Sequence, residues 1–391
     1  MAQFGDVVQE FSSRGLIHDS TDRADLTKRS TTSQMSAYVG FDPTSDSLHV
    51  GNLLGQISLR RFQMLGHRPV VLAGGATGMV GDPSGRSEER NLLDADSLAH
   101  NVSCIKGQLE RILDFDSGAN KAVLVDNATW TKDVPVLDFL RDVGKYITVN
   151  QMMAKDSVKS RISDGNGLSF TEFSYMLLQA NDFRHLCEHL DCEMQMGGSD
   201  QWGNITAGVD LIRRVEAAHV HALTTPLVTK ADGTKFGKTE SGTVWLDPEL
   251  TSPYAFFQFW LNSDDKDVIN FLKVFSFKTH QEITELEKSH NENPGLREAH
   301  RALARELTAL VHSQATTDRV EAAAKALFGQ GDLTELDEET LAGALAELPR
   351  TTVSKNDAIP TWVDLLAATG VVDSKSAARR IVKEGGAYLN N

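Results

Sequence analysis

The stretch AYVGFDPTSDSLHVGNLLGQISLRRFQMLGHRPVVLAGGATG, residues 37–78, decides the fold. It opens on a short apolar, β-prone run (37–41) and crosses the turn-rich DPTSDS. Apolar side chains then recur at Val50, Leu53, Leu54, Ile57 and Met64. That spacing predicts strand, loop, helix. PVVLA, residues 69–73, is a second continuous apolar run, long enough for a strand buried on both faces and too short for a helix. Working outward, residues 122–125 and 223–228 predict further strands. Helical spacing appears over 136–141 and 170–180, and a segment from Met194 runs through GGSDQ into a periodic stretch at Ile205, Val209 and Ile212. Strands alternating with helices imply βαβ units, a mostly parallel sheet and an α/β, Rossmann-like fold for residues 1–247.

Beyond residue 247 the pattern changes. Residues 253–261, 268–275 and 296–310 predict amphipathic helices without intervening strands, so an α-helical domain is expected over 248–328. Residues 329–358 carry acids, glycine and Pro349 and predict a linker with one short helix at 339–348. Two more helices, 362–369 and 374–384, are expected in 359–391. The second holds Lys375, Arg379, Arg380 and Lys383 against one acid.

Composition narrows the function. With 39 basic and 54 acidic side chains the 391-residue chain carries −15, so its overall field repels phosphate polymers and any nucleic-acid contact needs a local basic face. Cys104, Cys187 and Cys192 are odd in number and include no Cys-x-x-Cys pair, which argues against a disulfide framework or a structural zinc site and fits a reducing, cytoplasmic setting. The N-terminus MAQFGDVVQEF lacks the basic start of a secretory signal, and no run of about 18 apolar residues appears, so no membrane partner is expected.

The chemistry-bearing residues follow strand ends. His49-Val50-Gly51-Asn52 falls where a loop enters a helix, whose free N–H groups and partial positive charge suit a phosphate, although a capping histidine alone would look the same. Gly74-Gly75-Ala76-Thr77-Gly78 and Gly81-Asp82-Pro83-Ser84-Gly85-Arg86 put glycine-rich loops after the next strand, with Arg90 close behind. Lys235-Phe236-Gly237-Lys238-Thr239 follows the last predicted strand and could close over phosphates; solvated surface lysines would give the same pattern. There is no Gly-x-x-x-x-Gly-Lys-Ser/Thr loop. Tyr175, Gln179 and Asp182 fall at i, i+4 and i+7, so one helix face would present three polar groups within a largely apolar segment.

The pair His-Val-Gly-Asn and Lys-Phe-Gly-Lys-Thr, in that order, resembles the nucleotide signatures of class I aminoacyl-tRNA synthetases. Tyr38-Val39-Gly40-Phe41-Asp42-Pro43-Thr44, the Gly81–Gly85 loop, the Tyr175/Gln179/Asp182 face and Gly197-Gly198-Ser199-Asp200-Gln201-Trp202-Gly203-Asn204 look like the bacterial tyrosyl-tRNA synthetase family over nearly the whole chain. The resemblance implies L-tyrosine, ATP and tRNA(Tyr) as partners in a homodimer, with an interface near 137–149. It implies Mg²⁺ carried by the phosphates and no protein metal site.

It also implies that Tyr38 and Asp182 bind the phenol hydroxyl, that Tyr175, Gln179 and Asp82 hold the α-ammonium, and that Gln201 lies near the carboxylate. His49 and Thr44 would contact the γ-phosphate, while Arg86, Arg90, Lys235, Lys238 and Thr239 close over pyrophosphate. Gly40, Asp42, Gly51, Asn52 and Asp200 would line the adenylate, ribose and adenine. Phenylalanine would leave Asp182 and Tyr38 desolvated without a hydroxyl partner, so no editing site is expected.

Some positions depart from the family pattern. Asn52 stands where a second histidine is frequent, Val39 and Gly55 where polar residues occur, and Arg86 where lysine is common. Residues 359–391 resemble the first half of a small RNA-binding module, so an incomplete module is expected, with adenylate formation retained and tRNA charging weakened. Tyr38 with Asp182 argues against the tryptophanyl branch. The helical region argues against a small nucleotidyltransferase, and intact His49, Asp82, Lys235 and Lys238 against an RNA-binding protein without catalysis.

Overall fold

The computed structural model describes residues 4–84, 93–163, 167–231, 233, 236–239, 242–327, 336–345, 351–352 and 360–387. A six-stranded sheet is built from β1 (Asp19–Ser20), β2 (Ser36–Phe41), β3 (Arg68–Ala73), β4 (Val123–Asp126), β5 (Met194–Gly198) and β6 (His221–Thr225), in the order β1-β6-β5-β2-β3-β4. All pairings are parallel except β1 against β6. The chain runs outward from β2 to β3 and β4, then returns to the other side of β2 with β5. The order therefore reverses between β2 and β5, and the carboxyl ends there open a crevice.

Two helices frame the crevice. The helix Val50–Met64 starts on His49, whose Nδ1 accepts the Gly51 amide (3.0 Å), while Asn52 Oδ1 accepts the His49 amide (3.1 Å). This is a capping box made by His and Asn. Val50, Leu53 and Ile57 bury its inner face. The helix Phe170–Leu190 starts on Ser169 and ends on Asp191 in left-handed conformation (φ 51°). It runs ten residues past the expected 180 because Phe183 and Leu186 continue the buried face. Three other expectations shift. The last strand lies at 221–225 instead of 223–228, the helix expected at 296–310 is Glu298–His312, and the stretch 137–149 is not one helix. Val136–Asp142 gives way to a tight turn at Gly144–Tyr146, and Thr148 caps a new helix, Val149–Ala154.

After β6 come a two-stranded ribbon, β7 (Lys238–Thr239) with β8 (Gly242–Thr243), and the helices Pro253–Leu261, Val268–Phe275, His280–Glu292, Glu298–His312 and Gln314–Leu327. One buried cluster runs from Val7 to Val320 across both sides of residue 247. Arg61, from the helix Val50–Met64, donates to the carbonyls of Val274 (2.9 Å) and Ser276 (2.6 Å), and Arg14 to that of Lys278 (2.8 Å). Guanidinium groups thus cap the C-terminal carbonyls of Val268–Phe275 and tie the helical region to the sheet. The expected linker 329–358 lies mostly outside the described residues, which show a helix Glu338–Leu345. The helices Trp362–Ala368 and Lys375–Lys383 follow, joined by Lys375 Nζ on Asp364 (2.7 Å).

Candidate active site

Tyr38 and Asp182 face each other from β2 and the long helix. Both are buried, and the Tyr38 ring leans on Phe183, the residue after Asp182 (centroids 5.4 Å). Among the described residues the Tyr38 hydroxyl has no hydrogen-bond partner. Asp182 is held by two donors, Asn127 Nδ2 on Oδ2 (2.8 Å) and Trp130 Nε1 on Oδ1 (2.9 Å). Burial pushes its carboxyl up to about 7 despite those donors, and burial followed by the Asp182 charge raises the Tyr38 phenol well above its ordinary value. A buried hydroxyl left without a partner costs about 1–3 kcal/mol, so this pair is built for something that supplies one.

From Asp182 a polar chain crosses the sheet end. Asn127 also donates to Thr77 Oγ1 (3.1 Å), Thr77 donates to Asp42 Oδ1 (2.8 Å), and the Tyr175 hydroxyl donates to Asp42 Oδ2 (2.9 Å). The Tyr175 hydroxyl thus rests on Asp42, with the Asp82 charge also acting on it. Gln179 lies one turn on, with its Oε1 buried and unpartnered among the described residues.

A second carboxylate, Asp82, accepts from the Ser84 amide (3.0 Å) and hydroxyl (2.7 Å) and from Gln201 Nε2 (2.7 Å). Lys155 Nζ stands 3.7 Å from Asp82 Oδ1 and donates to Asn204 Oδ1 (2.7 Å). Burial works against the Asp82 charge, but Lys155 and then the Ser84 and Gln201 hydrogen bonds outweigh it and hold the carboxyl below its ordinary range. Asp200 is exposed and accepts from Gln201 (3.2 Å).

The two phosphate-type motifs meet. Val50 N bonds Val244 O (3.0 Å), Leu246 N bonds Leu48 O (2.9 Å), and the His49 ring meets Trp245 edge-on. Phe236 anchors the second motif by packing among Phe259, Trp260, Phe271 and Phe275. At Gly237 (φ +84°) an added Cβ would lie 3.0 Å from Val50 Cγ2, and at Gly51 one would lie 2.7 Å from the His49 imidazole. A side chain would press on Val50 at Gly237 and on the His49 ring at Gly51. Gly237→Ala, which combines left-handed strain with that contact, is expected to cost about 1–3 kcal/mol of stability, read by urea melts.

Gly40 and Thr44 are exposed on the same rim. Lys238 and Thr239 form β7, while Arg86, Arg90 and Lys235 lie outside the described residues. Asn127, Trp130 and Lys155 escaped the sequence reading. Asn127, the residue after β4, occupies the strand-end position where the other two loops had been noticed, and that was the only signal available. Two groupings of imidazole and carboxylate, Asp25/His219/His221 and Asp265/His290/His300, include none of these site residues.

A Rossmann-like sheet with a buried polar pair and a capped helix entrance at its switch point defines the class, and comparison with known proteins agrees. A family model described as tRNA synthetases class I (W and Y) matches residues 30–329, and the chain belongs to that class. The tyrosine–tRNA ligase of Streptomyces avermitilis is 55% identical over 387 residues, covering 99% of this chain and 90% of the relative. That of Streptomyces coelicolor is 54% identical over the same shares. The solved structure of a C-terminally truncated mitochondrial tyrosyl-tRNA synthetase from Aspergillus nidulans superposes with TM-score 0.75 at 32% identity, covering 83% of this chain and 94% of that one. Within the class, the chain belongs to the tyrosine–tRNA ligases.

Proposed function

We propose that this chain activates L-tyrosine with ATP and transfers it to tRNA(Tyr), using the Tyr38/Asp182 pair to take the phenol. The single observation that carries this is the buried, unpartnered Tyr38 hydroxyl beside a carboxylate oriented by two donors. The substrate hydroxyl donates to Asp182 and accepts from Tyr38, which closes the network. Its ammonium donates to Asp82, with the Gln179 carbonyl oxygen as a further acceptor and Tyr175 alongside, while Gln201 faces the carboxylate. Asp42 and Asp200 stand by the adenylate and ribose.

In the first step a carboxylate oxygen of tyrosine forms a bond to the α-phosphorus as the bond to pyrophosphate breaks. In the second, a hydroxyl of the terminal tRNA ribose attacks the acyl carbon and AMP departs. The substrate carboxylate is already ionised at neutral pH, so no protein nucleophile or general base is needed for activation. The residues align the reactants and spread charge on the leaving group. His49, Asn52, Gly51, Gly40 and Thr44 line the nucleotide side, and Arg86, Arg90, Lys235, Lys238 and Thr239 close on pyrophosphate. Mg²⁺ would accompany ATP on its phosphates, where it would neutralise charge on the leaving pyrophosphate. Discrimination against phenylalanine rests on leaving two buried polar groups unsatisfied, so no editing activity is needed. Residues 1–247 serve as the catalytic unit, 248–328 as the anticodon-arm region and 359–391 as an RNA-binding segment. Among the described residues no helix is long and apolar enough to cross a membrane.

A homodimer is supported by the surface. Among the described residues, eight of the sixteen exposed large hydrophobics fall between 134 and 170, including Val136, Leu137, Val149 and Phe170. Exposed apolar side chains gathered in one stretch of chain are what a second copy would cover. Leu137→Asp is expected to weaken the dimer by about 30-fold or more, since it desolvates a charge at the interface, read by sedentation-equilibrium mass against concentration.

The deciding experiment is amino-acid-dependent ATP–pyrophosphate exchange. Tyrosine should support it, with tryptophan and phenylalanine near background. Exchange driven by tryptophan would reassign the pocket, and none with any amino acid would end the reading.

A further inference from the structure

The helix that carries Asp182 presents two more rings on the same side, at the three- and seven-residue steps His185 and His189. The His185 imidazole lies flat on the Trp130 indole, with centroids 4.2 Å and planes 12° apart, and His189 extends the stack at 4.1 Å and 16°. His189 Nδ1 donates to the His185 carbonyl (3.0 Å), which fixes the outer ring. The inner end of the stack is the donor to Asp182 Oδ1.

Trp130 stands in the four-residue helix Ala128–Thr131, where the Ala128 amide donates to Asp126 Oδ1 (2.8 Å), and its half-buried side chain also rests on the apolar cluster around Tyr38, Phe183 and Leu186. One turn of helix is marginal by itself, so the direction of the indole N–H depends on what its faces touch. Burial, then His189, holds His185 below the ordinary histidine range, so at neutral pH its ring meets the indole uncharged.

We infer that His185, backed by His189, is a positioning residue for amino-acid recognition: its ring plane holds the Trp130 indole so that the N–H stays on Asp182 and leaves that carboxylate oriented for the substrate phenol. This rests on the role given to Asp182 above. Sequence periodicity places His185 beside Asp182, but only the packing of the turn after β4 brings one indole onto both of them.

The test compares His185→Ala, His185→Leu and His185→Phe in tyrosine-dependent exchange, together with Trp130 emission in the free protein, isolated by difference from Trp130→Phe. Losing one aromatic pair should raise KM for tyrosine about 3- to 10-fold in the Ala variant, with kcat within about twofold. His185→Leu, which fills space without a flat face, should stay impaired, and His185→Phe should return KM to within about twofold of the parent. Trp130 emission should move to the red in Ala and Leu and return in Phe. An unchanged KM in His185→Ala, or a Leu variant as good as Phe, would overturn the inference. Absence of tyrosine-dependent exchange in the parent protein would instead strike the functional reading, while the emission series would still report whether His185 fixes the indole.

Discussion

Asp182→Ala is expected to lower kcat/KM for tyrosine in pyrophosphate exchange by about 10²- to 10⁴-fold while KM for ATP stays within about threefold. The estimate follows from what the phenol loses. The Asn127 amide and the Trp130 indole also lose their acceptor, but they do so in the free protein too, so that cost falls on stability and not on kcat/KM. The substrate phenol loses a charged acceptor worth about 1.5–3 kcal/mol, and its hydroxyl is left buried without that partner at about 1–3 kcal/mol more. The combined loss is about 3–6 kcal/mol, at about 1.4 kcal/mol per tenfold. ATP should be spared because the nucleotide side proposed for it, around His49 and Gly237, is built on the helix Val50–Met64 and the ribbon after β6 instead of on the helix that carries Asp182.

A pH profile makes the same prediction sharper. With the Asp182 carboxyl near 7 in the empty site, the group is neutral below that value and ionised above it. A phenol donating to it favours the ionised form, so KM for tyrosine should fall as pH rises through about 7 and then level off. Asp182→Asn, which cannot ionise, should lose that step. A profile identical in both proteins would show that Asp182 does not meet the phenol.

Lys155→Met is expected to cost about 3–5 kcal/mol of stability at neutral pH and to lower kcat/KM for tyrosine about 100-fold or more. Lys155 and Asp82 have side chains only 5% and 9% exposed, and removing one member of a buried ion pair leaves the other charge uncompensated. In the parent, the Asp82 carboxyl lies below its ordinary value of 3.8, so the pair stabilises the fold above that value and the contribution fades as pH falls through the lower, folded one. In the variant burial prevails and the folded value moves up, so the sign reverses: the deficit is largest at neutral pH and shrinks as acid neutralises Asp82. Thermal melts of both proteins from pH 7 to 4 read this directly. A deficit that does not change with pH would mean lost packing instead of an unpaired charge. Activity falls because the ammonium of the substrate would meet a carboxylate that has been displaced toward water or neutralised.

Much of this molecule was legible along the chain. The helices Pro253–Leu261 and Val268–Phe275 begin and end where apolar periodicity places them, and β2, β3 and the helix Val50–Met64 fall within a residue of their expected limits. The same local rule put Tyr175, Gln179 and Asp182 on one face. It failed where the signal was short or the segment was more polar overall. The two-residue β1 left nothing to count, and the helices Ala95–Ile112, His280–Glu292 and Gln314–Leu327 were passed over between more apolar neighbours.

The residue sequence by itself determined the alternation of strands and helices around the site, the capped helix entrance after β2 and the shared face of Tyr175, Gln179 and Asp182, because each depends on side chains within one or two turns. Only the tertiary structure decided who meets whom: Tyr175 with Asp42, Asp182 with Asn127 and Trp130, Asp82 with Lys155, and Phe236 with the aromatic rings of the helical region. Those partners are separated by tens to over a hundred residues of chain. Their meeting is set by how sheet and helices pack, since a buried polar group takes whichever donor the fold delivers to it.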